Sequence, residues 1–110
     1  MSSVFETVRG NRNPAVTATL KDSAGTVVNL TTANNVKFLM RLAGNVTPKV
    51  NAAATIVAAA SGTVSYAWGA NDTDTVGVYE AEWLVTWGDG TTQTFPAGQP
   101  LTVKIRNSLA

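Results

Sequence analysis

The sequence predicts an all-β domain, an antiparallel sandwich of about eight or nine short strands packed as two sheets. Several segments alternate apolar and polar residues with a period of two, which is the pattern of a half-buried strand. Turn-forming residues recur about every eight to twelve residues, as they do in sandwiches. No segment shows a convincing helical pattern. An up-and-down barrel is the second choice.

Composition indicates one ordinary globular domain spanning residues 1–110. A chain of 110 residues buries roughly two-thirds of its unfolded surface without staples. Lys and Arg number 8 against 7 Asp and Glu, for a formal net charge of +1. This balance gives no basic or acidic field, so we expect neither a nucleic-acid nor a membrane partner.

The sequence contains no cysteine and no histidine. Disulfides are therefore excluded, and the commonest metal ligands and the commonest general base are missing. No run of residues has the length of a membrane span, and the start of the chain lacks the regions of a signal peptide. We expect no catalysis and no cofactor, and a product used in the compartment where it is made.

Residues 76–87 form the longest and most aromatic strand candidate, so they are predicted to be the central strand. The predicted core face carries Tyr79, Ala81, Trp83, Val85 and Trp87. The opposite face carries Glu80, Glu82 and Thr86, with Leu84 as its apolar exception. The alternation predicts that the aromatic rings are buried while the glutamates face water.

The other strands are bounded by glycine, proline, asparagine and aspartate. The predicted strands are residues 4–8, 16–20, 27–30, 36–42, 55–58, 63–68, 76–87, 91–95 and 101–106. Residues 52–60 are ambiguous, since their alanines permit helix while their β-branched residues favour strand. Residues 44–51 are predicted to be a loop because of Gly44 and Pro48. Residues 1–3 and 107–110 are predicted to be flexible arms.

The approach to the central strand, residues 74–81, is similar to the tyrosine corner of immunoglobulin-like sandwiches. In those domains the corner tyrosine lies two residues before a core cysteine, and its hydroxyl bonds a backbone group upstream. Here Tyr79 precedes Ala81 by two residues. A plain half-buried aromatic residue is the other interpretation of Tyr79.

Turn and core patterns follow one another along the chain in an order that resembles a known family. These patterns are Asp22 and Gly25 with Val28 and Leu30, the strand 36–41, the run 54–57, Gly62-Thr63-Val64, Tyr66, Trp68, Asp72 with Asp74, Gly77-Val78-Tyr79, Glu82, Asp89-Gly90 and Thr94-Phe95-Pro96. Across residues 15–106 the chain is similar to small β-sandwich domains of tailed-phage virions. The comparison family is the N-terminal domain of baseplate upper proteins (BppU), with related long-tail-fibre-type domains.

The resemblance implies a non-enzymatic structural protein of the virion, an immunoglobulin-like β-sandwich made in the cytoplasm of the host bacterium. In that family the domain usually heads a longer protein, whereas this sequence stops at Ala110, which favours a small adaptor or minor subunit of the tail, baseplate or neck. The implied partners are other virion proteins, with several copies in a symmetric assembly or a homo-oligomer. A decoration or accessory protein of the phage head is the alternative.

Loops are the expected contact surfaces, because they tolerate specialisation while the sheets keep the core. The predicted contact loops are residues 9–14 and 44–51, together with the terminal arms. The predicted contact residues are Arg9, Arg12, Asn13, Asn45 and Lys49. Lys104 and Arg106 near the last strand are further candidates, with a solubilising role as the alternative.

Three other features of the sequence are candidates for a catalytic, metal or ligand site. Glu80 and Glu82 are predicted to be a solvated face opposite Lys or Arg, rather than a catalytic pair. Asp72 and Asp74 alternate as in calcium loops but lack the glycine and glutamate of an EF-hand. Trp68 ends a strand and is predicted to be the exposed aromatic, which would suit a carbohydrate-binding module. The carbohydrate-binding module is the second functional hypothesis after the virion subunit, and an enzyme is the third.

Overall fold

A computed structural model describes residues 4–96 and 100–109. Its described residues form eight strands and one short 3-10 helix, at Ala59–Ser61. The strands are β1 (Val4–Val8), β2 (Val16–Thr19), β3 (Ala33–Leu42), β4 (Pro48–Ala58), β5 (Thr63–Tyr66), β6 (Gly77–Trp87), β7 (Thr92–Phe95) and β8 (Leu101–Arg106). The prediction of an all-β fold of about eight strands is confirmed.

The strands are arranged in the order β1-β8-β6-β3-β4-β5-β2, with β7 also paired to β6. The first half of β4 pairs with β3 in the large sheet, and its second half pairs with β5 in the small sheet. One long strand therefore joins two layers, which gives a sandwich that is nearly barrel-shaped. All ladders are antiparallel except that between β1 and β8, which is parallel.

The central position of β6 is confirmed, because it pairs with β3, β7 and β8. Its inner residues Tyr79, Ala81, Trp83 and Val85 are buried, and they pack against the core around Phe38. The Phe38 ring lies 4.8 Å from the Trp83 ring and stacks on Tyr66 at 4.9 Å. Such aromatic contacts add to the apolar burial that stabilises the core.

Trp87, predicted to be part of that core face, is only half-buried. It is the last residue of β6, and its partly buried ring packs against the core. Its indole Nε1 donates a hydrogen bond to Gln93 Oε1 at 3.2 Å. The position at a strand end, which alternation cannot detect, explains the difference.

The predicted loop at residues 44–51 is wrong beyond Thr47, because β4 begins at Pro48 and continues to Ala58. Pro48 is the first residue of the strand, where the missing N–H of proline is tolerated. Ala52 and Ala54 then point inward and are half-buried. Pairing with β3 and then β5 outweighs the weak strand preference of alanine.

The predicted strand at residues 27–30 is also wrong. Asp22 Oδ1 accepts the backbone N–H groups of Ala24 at 2.9 Å and Thr26 at 3.0 Å, which closes a turn and leaves one isolated bridge between Lys21 and Val27. Leu30, the last residue of this segment, is instead buried in the core. We call the end of the sandwich formed by residues 20–32, 59–62 and 88–91 the turn end.

The predicted strand 55–58 is the second half of β4, and the remaining predicted strands are confirmed with shifts of up to three residues at their ends. Of the predicted arms, residues 1–3 and Ala110 lie outside the described residues. Residues 107–109 are exposed and belong to no strand. Part of the predicted break at residues 96–100, namely 97–99, also lies outside the described residues.

Candidate functional site

The predicted contact residues meet at the end of the sandwich opposite the turn end. Three connections lie there: residues 9–15 between β1 and β2, 43–47 between β3 and β4, and 67–76 between β5 and β6. We call these three connections, with the adjoining strand ends, the loop end. Arg9, Arg12 and Asn13 lie in the first loop and Asn45 in the second. Lys49 lies in β4, one residue inside the strand, and not in a loop as predicted.

The first and third loops are joined by backbone and side-chain hydrogen bonds. Gly10 N donates to Thr73 O at 3.0 Å, and Thr73 Oγ1 donates to Asn11 O at 2.8 Å. Thr73 is only 1% exposed, so its hydroxyl needs that partner. Arg12 Nε donates to Trp68 O at 3.1 Å, a third bridge between the same loops. These three hydrogen bonds therefore hold the first and third loops in one position relative to each other.

Lys49 is part of an ion pair that ties β4 to the third loop. Its Nζ lies 2.7 Å from Asp74 Oδ1, and Thr75 Oγ1 donates to the same oxygen at 2.9 Å. The hydrogen bond from Lys49, and then that from Thr75, holds the pKa of Asp74 below its ordinary value. Lys49 is thus paired with Asp74 within the chain. Its predicted role as a contact residue stays a prediction.

Asp72, a candidate calcium ligand together with Asp74, accepts hydrogen bonds from groups of the same chain. The Tyr66 hydroxyl donates to Asp72 Oδ2, and Gly69 N donates to the same oxygen at 2.7 Å. Burial, and then the hydrogen bond to Asp72, raises the pKa of Tyr66 well above its ordinary value. In the described part of the chain, no group of three acidic, histidine or cysteine residues is placed to hold a metal ion.

Tyr79 has the geometry expected of a tyrosine corner. Its hydroxyl donates to Thr75 O, four residues upstream, at 2.8 Å. The ring is buried, and Ala81 two residues later occupies the core. Burial raises the pKa of Tyr79. The bond satisfies a backbone carbonyl where the third loop enters β6, so the loop end is fixed to the core at this residue.

Trp68 is not exposed, and the prediction of an exposed aromatic is wrong. Its side chain is 2% exposed and packs against Phe5, Phe38 and Tyr66 at ring distances of 5.7 to 5.8 Å. Phe5 comes from β1 and Phe38 from β3, so rings from distant strands enclose Trp68. A sugar platform built on Trp68 therefore has no surface on which to stack a ligand.

Asn45 and Asn13 shape their loops. Asn45 Oδ1 accepts the backbone N–H groups of Val46 at 2.8 Å and Thr47 at 3.3 Å, which is turn chemistry typical of asparagine. Asn13 is exposed and precedes Pro14 through a cis peptide bond. Arg9 and Arg106 are exposed at the ends of β1 and β8, and Arg9 N donates to Arg106 O at 2.8 Å.

The outer face of the large sheet has a groove of about 230 Å³, which no pattern in the sequence indicated. Its lining includes Glu80 and Glu82, together with Val46, Pro48 and Pro100. The glutamates are half-buried, and Arg41 Nε lies 3.6 Å from Glu80 Oε1. The prediction that a basic residue faces this pair across the sheet is confirmed for Glu80. Glu82 faces Leu39 instead.

Comparison with protein-family models and with curated proteins gave no match to this chain. In the part of the chain that the structure describes, no helical segment has the length and apolar character that crossing a bilayer requires.

Proposed function

We propose that this protein is a non-enzymatic structural subunit of a tailed-phage virion, present in several copies as a small adaptor or minor subunit of the tail, baseplate or neck. It acts by docking its loop end on neighbouring virion proteins. The observation that carries the proposal is that Arg9, Arg12, Asn13 and Asn45 meet at one end of the sandwich, although 32 positions separate Asn13 from Asn45.

The bonds within the loop end support a docking role. Gly10, Asn11 and Arg12 of the first loop are bonded to the third loop, and the tyrosine corner fixes that third loop to β6. A surface held in one conformation before association loses less conformational entropy on binding. The resemblance to virion sandwich domains over residues 15–106 supplies the kind of assembly.

The direct test is quantitative mass spectrometry of particles of the phage that encodes this chain, purified through two successive density gradients. We expect peptides of the chain at a constant ratio to a major structural protein in both preparations. Separated heads and tails then distinguish a tail, baseplate or neck subunit from a head decoration protein. An abundant host cytoplasmic protein is the control, and its ratio should fall with each gradient.

A chain that disappears from the particles in step with the host protein would contradict the proposal. A constant ratio confined to the heads would keep the virion role but replace the tail assignment with the decoration alternative.

A further inference from the structure

Arginine side chains of the loop end form no ion pair with an acidic residue in the described part of the chain. Arg9, Arg12 and Arg106 are all exposed. Among the described residues, the ion pairs are Arg41 with Glu80 and Lys49 with Asp74, so none of these arginines is neutralised by a carboxylate of the chain. Parallel pairing of Val8 with Arg106 places Arg9 and Arg106 at adjacent strand ends.

The two acidic residues of the third loop, Asp72 and Asp74, are bonded to other groups and not to these arginines. Asp72 accepts hydrogen bonds from Tyr66 and Gly69, and Asp74 accepts from Lys49 and Thr75. These bonds direct the carboxylates into the third loop and towards β4. The arginines of the first loop and of β8 therefore form a locally positive area on a chain whose net charge is only +1.

Two of the arginines are oriented by the backbone. Arg12 Nε donates to Trp68 O at 3.1 Å, and Arg106 Nη1 donates to Asn107 O at 3.0 Å. A guanidinium has five N–H donors in a planar fork, so each keeps donors for a second partner. Fixing the fork beforehand reduces the entropy that a bidentate contact with a carboxylate would otherwise cost.

Exposed apolar side chains accompany these arginines at the loop end. Val76, Val78 and Val46 are exposed to 42%, 48% and 83%, respectively. Gly77 pairs with Ile105, so Val76 and Arg106 lie at the same edge of the large sheet. Arginine next to apolar surface is typical of protein–protein interfaces, whose cores are depleted of the other charged residues.

We infer that the loop end docks on an acidic, carboxylate-rich surface of a neighbouring protein subunit, with Arg9, Arg12 and Arg106 as its cationic contacts. This inference rests on the proposed function and adds the chemistry of the partner. A nucleic-acid backbone is disfavoured because the chain has few positive charges, and its buried Trp68 offers no base-stacking platform. The exposed valines of the same end, of which Val76 lies opposite Arg106, instead suit a protein surface.

The test uses a phage deleted for this gene and complemented in the host with the wild-type chain, with R9Q/R106Q or with K21Q/K37Q. Both double variants remove two positive charges, but Lys21 and Lys37 are exposed residues outside the loop end. Arg12 is left in place because its side chain joins two loops. Unfolding midpoints of the purified chains check that both variants fold.

We expect R9Q/R106Q to lower the copy number in purified particles by about tenfold or more, since losing one partner of an interfacial charge pair weakens association at least that much. The K21Q/K37Q chain should be incorporated like the wild type. Suppressors of a charge-reversed R9E/R106E phage should replace acidic residues in one other virion protein.

Equal incorporation of R9Q/R106Q and wild type would overturn the inference and leave the proposed function standing. Absence of the wild-type chain from the particles would instead reject the proposed function. Fluorescence anisotropy with a labelled oligonucleotide covers the phosphate alternative. A dissociation constant tighter than about 1 μM at physiological salt, beyond the nonspecific range, and lost in R9Q/R106Q, would overturn the assignment to carboxylates.

Discussion

At the loop end, hydroxyl and guanidinium groups bond one connection to another. At the turn end, backbone hydrogen bonds and buried leucines join the connections, and the carboxylate of Asp22 bonds only within its own turn. Thr73, Tyr79 and Asp72 each bond backbone groups at the loop end. At the turn end Leu20 and Leu30 are buried, and Leu30 N donates to the carbonyl of Ala59. Both ends close the same two sheets by different physical means.

The difference indicates where a partner can bind with the least structural cost. The buried leucines of the turn end must stay covered, so this end contributes mainly to folding stability. Polar bonds hold the loop end in place while its arginines and valines remain on the surface. We therefore expect substitutions at the turn end to affect the free energy of unfolding more than substitutions of the loop-end polar groups.

The largest effect is expected for Leu30→Ala. Leu30 is 1% exposed, and truncating a buried leucine costs about 3 kcal/mol through lost burial and a residual cavity. The measurement is the urea unfolding midpoint with the slope of the transition. Leu109→Ala is the control, since Leu109 is exposed and should change the midpoint little. Similar midpoints for the two variants would contradict the burial of Leu30 at the turn end.

A smaller but still large effect is expected for Gly62→Ala. Gly62 has a φ of +65°, and an added Cβ would lie 2.5 Å from Val28 O. We expect a loss of about 2 kcal/mol or more, combining the left-handed backbone penalty with a backbone clash. Gly25 has a φ of +84° but open space around it, so Gly25→Ala should lose only about 1 kcal/mol. Equal losses measured by thermal unfolding would show that the close approach of Val28 does not matter.

At the loop end, Tyr79→Phe should lower the free energy of unfolding by about 1 kcal/mol, the net value of one hydrogen bond in a buried site. Thr75→Ala is the matched control, because the acceptor of the bond is the Thr75 backbone carbonyl, which that variant keeps. Denaturant unfolding of the two variants separates them. A larger loss in Thr75→Ala would assign the stabilisation to the threonine hydroxyl and not to the tyrosine corner.

The smallest effect is expected from the ion pair of Lys49 with Asp74. Because the pKa of Asp74 is depressed in the folded state, its contribution is present above the unfolded pKa of about 3.9 and is lost as pH falls through the folded value. Lys49→Gln should raise the pKa of Asp74 towards its ordinary value, as measured by NMR titration of the carboxyl carbon. An unchanged pKa in Lys49→Gln would show that Thr75, and not Lys49, causes the depression.

Much of the fold could be predicted because the sequence repeats one pattern. The alternation around Trp83 identified β6, and the spacing of Tyr79 from Ala81 identified the tyrosine corner. The start of β4 could not be predicted, since Pro48 and a run of alanines are poor strand signals until β3 and β5 pair with them. Trp68 was wrongly expected to be exposed, because the rings of Phe5 and Phe38 that pack against it come from distant parts of the sequence.

The candidate site was predicted only as a set of separate loops. Arg9, Arg12, Asn13 and Asn45 could be selected as loop residues, but their meeting at one end follows from the strand order. The groove over Glu80 and Glu82 combines strand and loop residues from distant parts of the sequence. A single sequence carries no local signal for such a combination.

The sequence by itself determined the strand character of most segments and the buried face of the central strand, because side-chain alternation along a pleated backbone is a local property. Tertiary structure alone decided that β4 crosses between the sheets and that Trp68 is covered. It also decided that the arginines of β8 and the first loop share one end, where no described carboxylate pairs with them. These outcomes depend on which segments pair across long separations, and pairing is decided by the burial and hydrogen bonding of the whole chain.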